Sequence, residues 1–271
     1  GNSRTTLFLV LGAVSAFGTL GFLVIPPMPS AADCGVQRRP GEDGRRQCSQ
    51  TLRLLATDWR MALTAPMIFA NGCFTAFVLA EFPRRVTATL GPDYSAPALL
   101  AFYACNGGAN GAWGALIATK RITVASAFWL ATGLKLGVTL LLVGADLDLL
   151  PVFRGHYRER TFETDVRRRW QLDSGGPPTW WEYAAPLICI CLAACGDAVY
   201  QSQLPALLQG LFQDERMAPA MANMKLWNSL GLAAQFATRA MGVQGGVAPV
   251  ICVAGLLVAA FPALVVVLRH G

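Results

Sequence analysis

Residues Tyr183–Leu208 read YAAPLICICLAACGDAVYQSQLPALL, 26 consecutive positions with a single formal charge, at Asp197. A helix needs about twenty apolar residues to cross the roughly 30 Å hydrocarbon layer of a bilayer. It must be a helix or a closed barrel, because lipid offers no partner to an open backbone N–H or C=O. The stretch is introduced by Trp180-Trp181-Glu182-Tyr183. Aromatic residues gathered where a polar segment meets an apolar run mark the membrane–water interface. The stretch is therefore read as a membrane-spanning helix starting near Tyr183.

The same pattern recurs along the chain. Leu7–Ile25, Met61–Ala80, Ala96–Thr119, Ile122–Val143, Ala218–Ala240 and Val247–Leu268 are further apolar runs of span length. The expected fold class is all-α, a polytopic membrane helix bundle of about seven transmembrane helices. Composition agrees: the 271 residues are 54% hydrophobic and 14% charged, against roughly 25% charged in soluble domains. Leu7–Ile25 is too long for the apolar core of a signal peptide and follows no basic run. It is read as a span. The first residue is Gly1 rather than methionine, as in a processed chain or a piece of a longer one.

The hydrophilic segments carry the net charge of +6, almost wholly as arginine. Beside membrane spans this points to anionic lipid head groups and topology rather than to nucleic acid. Residues 26–60 form a Pro/Gly/Arg linker without apolar periodicity until Leu52, ending in a short amphipathic piece. Lys120-Arg121 makes a tight turn, so the spans on either side are expected to be antiparallel neighbours. The longest polar stretch, 144–181, is an extramembrane loop holding Arg154, Arg158, Arg160 and Arg167-Arg168-Arg169. The basic residues of short, span-adjacent segments favour the side of Arg38, Arg60, Lys120 and Arg216 as cytosolic.

Ionisable groups inside a span need a partner or a water-filled cavity. Lys135, Asp197 and Lys225 are such groups. Asp197 lies roughly 20 Å into its span and Lys225 roughly 10 Å into the next from the opposite side. Similar depth makes an Asp197–Lys225 pair reasonable, either as a proton or ion relay or as a neutral lock between two helices. Tyr200 and Gln201 follow Asp197 by three and four residues and share its face. Asn228 lies a turn from Lys225, and Gln235 adds a polar group beyond it. Lys135 would reach Glu81 or snorkel to the interface.

In the third run, Gly107, Gly111 and Gly114 form a small-residue stripe suited to close helix packing, with Asn106 and Asn110 as a parallel polar stripe. Cys73, Cys105, Cys189, Cys191, Cys195 and Cys252 lie in apolar runs and read as small packing residues. Cys189, Cys191 and Cys195 have no histidine with them, so no metal site is expected. Cys34 and Cys48 would pair only if their loop faced an oxidising compartment. His156 and His270 lie outside the spans, and no nucleophile motif, phosphate-binding loop or His/carboxylate metal set occurs. Neither an enzyme nor a cofactor-binding protein is expected, and the lack of intramembrane histidine disfavours haem.

Two motifs carry a family resemblance. Gly196-Asp197-Ala198-Val199-Tyr200-Gln201-Ser202-Gln203-Leu204, followed by Ala206-Leu207-Leu208 and Leu211-Phe212, resembles the tenth helix of the UNC-ninety-three-like branch of the major facilitator superfamily. Lys225-Leu226-Trp227-Asn228-Ser229-Leu230-Gly231 resembles its eleventh-helix motif, and Phe77–Val86 with Glu81 is similar to the end of its seventh. The likeness runs from about Leu52 to Leu268. It implies that 1–25 ends an N-terminal half, that 26–60 is the cytosolic linker and that 61–268 is the six-helix C-terminal half. A cytosolic linker argues against a Cys34–Cys48 disulfide.

The sequence departs from the family in three respects. Five helices of a full fold are absent from it, the gating loop lacks its aspartate, and 144–181 is longer than usual. The family's members are variously linked to solute transport, channel regulation and escort of other membrane proteins. The expectation is a regulatory or accessory subunit in contact with membrane lipid and other integral membrane proteins. The alternative is a secondary transporter coupled through Asp197 and Lys225.

Overall fold

The computed structural model describes residues 43–147, 149, 157–162, 165–172, 180–240 and 247–270. The chain divides into two compact units, Gly1–Ser49 and Gln50–Gly271. In the first, the described residues 43–49 open helix α1 (Asp43–Thr57). The expected span Leu7–Ile25 and the Cys34–Cys48 pairing lie outside the described residues. The second unit holds every helix from Trp59 onward and a pair of strands.

Helices α2 (Trp59–Leu90), α3 (Ser95–Ala118), α4 (Val124–Asp146), α5 (Trp180–Leu211), α6 (Met217–Ala240) and α7 (Val247–His270) cover the remaining six apolar runs. Their ends have local causes. Asp58 caps α2, its carboxylate accepting from the Arg60 backbone N–H at 3.0 Å. Gly91, at φ 103, ends the same helix in a conformation that costs a glycine little, and Pro92 follows at once. Thr123 and Ser126 form a reciprocal capping box at the start of α4.

Helices α2, α4, α5 and α7 are long and apolar enough to cross a membrane. The protein is thus a membrane-embedded helical bundle. Helices α3 and α6 have 24 residues each, also a spanning length, but Asn106 and Asn110 in one and Asn223, Lys225, Asn228 and Gln235 in the other dilute their apolar character. Large apolar side chains stand outward on α4 (Trp129, Leu130, Leu140) and α7 (Ile251, Val258, Val266). Such a surface suits acyl chains and would be costly in water.

The six helices fall into two matching triplets. Helices α2 and α5 have 32 residues each, α3 and α6 have 24 each, and α4 and α7 have 23 and 24. A three-residue 3₁₀ turn follows the first helix of each triplet, Pro92–Tyr94 in one and Asp214–Arg216 in the other. Prolines sit early and late in both long helices, at Pro66 and Pro83 and at Pro186 and Pro205. Packing follows the same plan: α2 on α6 mirrors α5 on α3, and α2 on α7 mirrors α5 on α4. Helices α4 and α7 also meet, with Trp129 edge-on to Phe261 at 4.5 Å.

The long helices run antiparallel. Arg60, at the start of α2, donates from Nη1 to the Leu211 carbonyl at the end of α5 (3.2 Å) and lies 5.0 Å from the Phe212 ring centroid. At the other end Tyr94 packs at a tilt against Tyr183, with ring centroids 5.4 Å apart. The aromatic cluster read as an interface begins α5 itself, at Trp180.

Two expectations are corrected. Despite the tight Lys120-Arg121 turn, α3 and α4 are not packed neighbours; both pack on α5. Small residues on α5 admit both: a Cβ at Gly196 would lie 2.9 Å from the Ala131 carbonyl of α4, and the Ala194 carbonyl accepts from Asn106 of α3 at 3.3 Å. The extramembrane stretch is also not wholly loop. It holds an antiparallel hairpin of β1 (Tyr157–Phe162) and β2 (Asp165–Leu172), with Arg160 opposite Arg169. Further, the linker's amphipathic piece is the helix α1.

Candidate functional site

Each long helix brings polar groups to one level near the middle of the bundle. From α5 comes Asp197, fully buried, and from α4 comes Lys135, also fully buried. Lys135 Nζ lies 3.1 Å from Asp197 Oδ1. The same ammonium donates to Asn71 Oδ1 of α2 and lies over the rings of Phe74 (4.5 Å) and Tyr200 (4.3 Å). Two aromatic faces and a carbonyl oxygen thus complete the cation's shell, as its removal from water requires.

The carboxylate is equally well served. Oδ1 also accepts from Thr75 of α2 at 3.3 Å, and Oδ2 accepts from Asn106 of α3 at 3.4 Å and from Gln201, one turn along α5. Asn110 donates to Asn106 Oδ1 at 3.0 Å and so props the amide that reaches Asp197. Tyr200 is buried, its hydroxyl sharing a hydrogen bond with Thr132 of α4. Four helices therefore converge on one ion pair. Gly196 is needed beside it, since a Cβ there would meet Lys135 Cγ at 3.1 Å.

The expected Asp197–Lys225 pair does not form. Lys225 is exposed on α6, and Asp197 takes Lys135 instead. Equal depth was a necessary condition for pairing, but direction decides it. Helix α6 is fixed against α2 by glycines: a Cβ at Gly231 would collide with the Phe69 carbonyl, and one at Gly72 with the Asn228 carbonyl. That crossing sends the Gly231 face inward and Lys225 outward. Asn228 contributes its backbone to the crossing rather than a side chain to the Asp197 cluster. Glu81 is buried near Arg84 (3.9 Å) and not near Lys135.

The glycine stripe of α3 is also not a helix-packing seam among the described residues. Nothing lies within 4 Å of a Cβ built at Gly107, Gly111 or Gly114. Contact with α5 is made instead by Asn106, by Cys105 and by Trp113, whose indole N–H donates to the Cys195 carbonyl at 3.0 Å.

Comparison with protein families, with curated proteins and with solved structures finds no match to this chain.

Asn71, Thr75 and Thr132 belong to the cluster and were not singled out from sequence. Their signal was present: Asn71 and Thr75 are four residues apart in an otherwise apolar run, as are Asp197 and Gln201. Cys105 and Cys191 lie beside the cluster, on α3 and α5, with their sulfurs 3.2 Å apart. All six cysteines described in full are free. No group of three or more His, Cys, Asp or Glu suited to a metal ion occurs among the described residues.

At the end of the bundle marked by Trp59, a second polar group joins three elements. Asp58 pairs with Arg60 at 3.0 Å and faces Arg216 at 3.8 Å. The hydrogen bond from the Arg60 guanidinium is the main cause that holds the Asp58 carboxyl below its ordinary range, against the opposing effect of burial. Asn223 of α6 donates to the Thr51 carbonyl of α1 at 2.8 Å close by.

Proposed function

We propose that this chain is a transporter-like integral membrane protein of the UNC-ninety-three-like type, acting as a regulatory or accessory subunit that packs against other membrane proteins. The observation that carries this reading is the saturation of Asp197. A coupling carboxylate must exchange its partner for a proton or ion during each cycle. Here Lys135, Thr75, Asn106 and Gln201 hold both oxygens from four helices. Such a group serves well as a lock that sets helix orientation.

The major facilitator part of the reading draws support from the paired triplets. Three-helix repeats of inverted topology are the building plan of each six-helix half in that superfamily. The accessory part draws support from the open faces of α3 and α6, where Gly107, Gly111 and Gly114 leave room for close helix approach.

A second reading, secondary transport coupled at Asp197, is favoured by Gln201. That side chain is exposed and yet donates to Asp197 Oδ2, so one amide separates the carboxylate from the bundle surface. In this reading the cationic partner is Lys135, not Lys225.

Reconstitution of the chain in vesicles containing a pH dye, with an imposed membrane potential, tests the choice. The accessory reading expects proton flux equal to that of empty vesicles. A flux that Asp197→Asn abolishes in a folded protein would overturn it in favour of transport.

A further inference from the structure

With Asp197 held by Lys135, Lys225 stands apart from the buried ion pair. It is exposed on α6, and among the described residues nothing hydrogen-bonds or ion-pairs with it. Around it on the same outward face stand Ala222, Leu226, Ser229 and Leu230, with Leu226 41% and Leu230 43% exposed. A single cation thus stands among small and apolar side chains, with the partly exposed Asn228 a turn away.

The direction of that side chain is fixed. Turning α6 to bring Lys225 inward would move Gly231 off α2, where only a glycine fits against the Phe69 carbonyl and the Cys73 N–H. Trp227, edge-on to Phe69 at 6.4 Å, braces the same crossing. Snorkelling does not relieve the charge either. Lys225 lies about eight residues past Met217, roughly 12 Å from the polar turn Asp214–Arg216 at 1.5 Å per residue. Its four-carbon stem extends only about 6 Å.

We infer that the outward face of α6, centred on Lys225, docks a membrane-spanning helix of another protein that carries a carboxylate at the depth of Lys225. The inference rests on the accessory-subunit reading and names the chemistry of the partner. A charge so far from the polar turn is costly unless a partner or water meets it, and the surrounding Ala and Ser residues let a second helix come close enough to supply the partner. A second copy of this chain is the wrong occupant. A two-fold dimer through this face would bring its own lysine against Lys225.

The test uses the full chain, donor-labelled, in phosphatidylcholine vesicles. The probes are acceptor-labelled 23-residue Leu/Ala helices with one Glu or one Gln at the centre. Energy transfer is expected to show at least ten-fold tighter association of the Glu helix than of the Gln helix. Lys225→Gln should erase the difference, while Lys225→Arg should keep it, both variants unfolding at the temperature of the parent. Equal association of the two helices overturns the proposal, as does a preference for Glu that survives Lys225→Gln. The proton-flux measurement reports separately on the accessory reading, so its failure is distinguishable from failure of this docking site.

Discussion

Lys135 of α4 and Asp197 of α5 form an ion pair of 3.1 Å with no solvent exposure of either side chain. The pair and its partners come from four of the six helices, α2 to α5, so the pair reports on the packing of two-thirds of the bundle. Removing one member leaves an uncompensated charge in a low-dielectric interior, a loss of about 3–5 kcal/mol. Lys135→Met and Asp197→Leu should each lower the thermal unfolding midpoint in detergent sharply. The double variant should recover most of the loss, because it leaves no charge behind. Additive losses in the double-mutant cycle would show that the two residues do not act as a pair.

Helices α2 and α6 cross where Gly72 and Gly231 face each other's backbone. Because a Cβ at Gly231 would meet a main-chain oxygen that cannot rotate away, Gly231→Ala should destabilise the bundle by about 1–3 kcal/mol. Gly107→Ala on the open face of α3 is the control, since its Cβ would meet nothing within 4 Å. Unfolding midpoints of the two variants in the same detergent give the comparison. A loss at Gly107 equal to that at Gly231 would contradict the packing described.

The sulfurs of Cys105 and Cys191 lie 3.2 Å apart across the α3–α5 contact. Copper-phenanthroline oxidation in membranes should join them, detected as a single cross-linked peptide after proteolysis. Cys105→Ser should abolish that product. Absence of the cross-link in the parent protein would mean that α3 and α5 do not meet in this register.

Asp58 links stability to acid pH. Its folded carboxyl titrates below the ordinary carboxylate range because the Arg60 guanidinium donates to it. A carboxyl depressed on folding contributes stability that is fully present above its unfolded value and is lost as pH falls through the folded one. Asp58→Asn should therefore flatten the stability profile below about pH 4, at a cost near neutral pH of about 1 kcal/mol for a pair that is only partly exposed. Thermal melts between pH 3 and 7 would show it. An unchanged acid limb would remove Asp58 as a contributor.

Long apolar runs with at most one charge, such as Tyr183–Leu208 and Val247–Leu268, determine by themselves that this is a membrane helix protein, because length and apolarity answer to bilayer thickness alone. The apolar runs located five of the six helices α2 to α7 to within three residues, whereas α2 continues ten residues past the expected end at Ala80, to Leu90. The presence of charges at Lys135, Asp197 and Lys225 was also legible, since each interrupts an apolar run. Their pairing was not. Depth along a helix follows from counting residues, whereas rotation about the helix axis follows from what packs on its other side. Only the tertiary structure, through the Gly72–Gly231 crossing, turned Lys225 outward and left Lys135 to meet Asp197. The triplet repeat likewise rests on which helices pack on which, and that too only the tertiary structure decides.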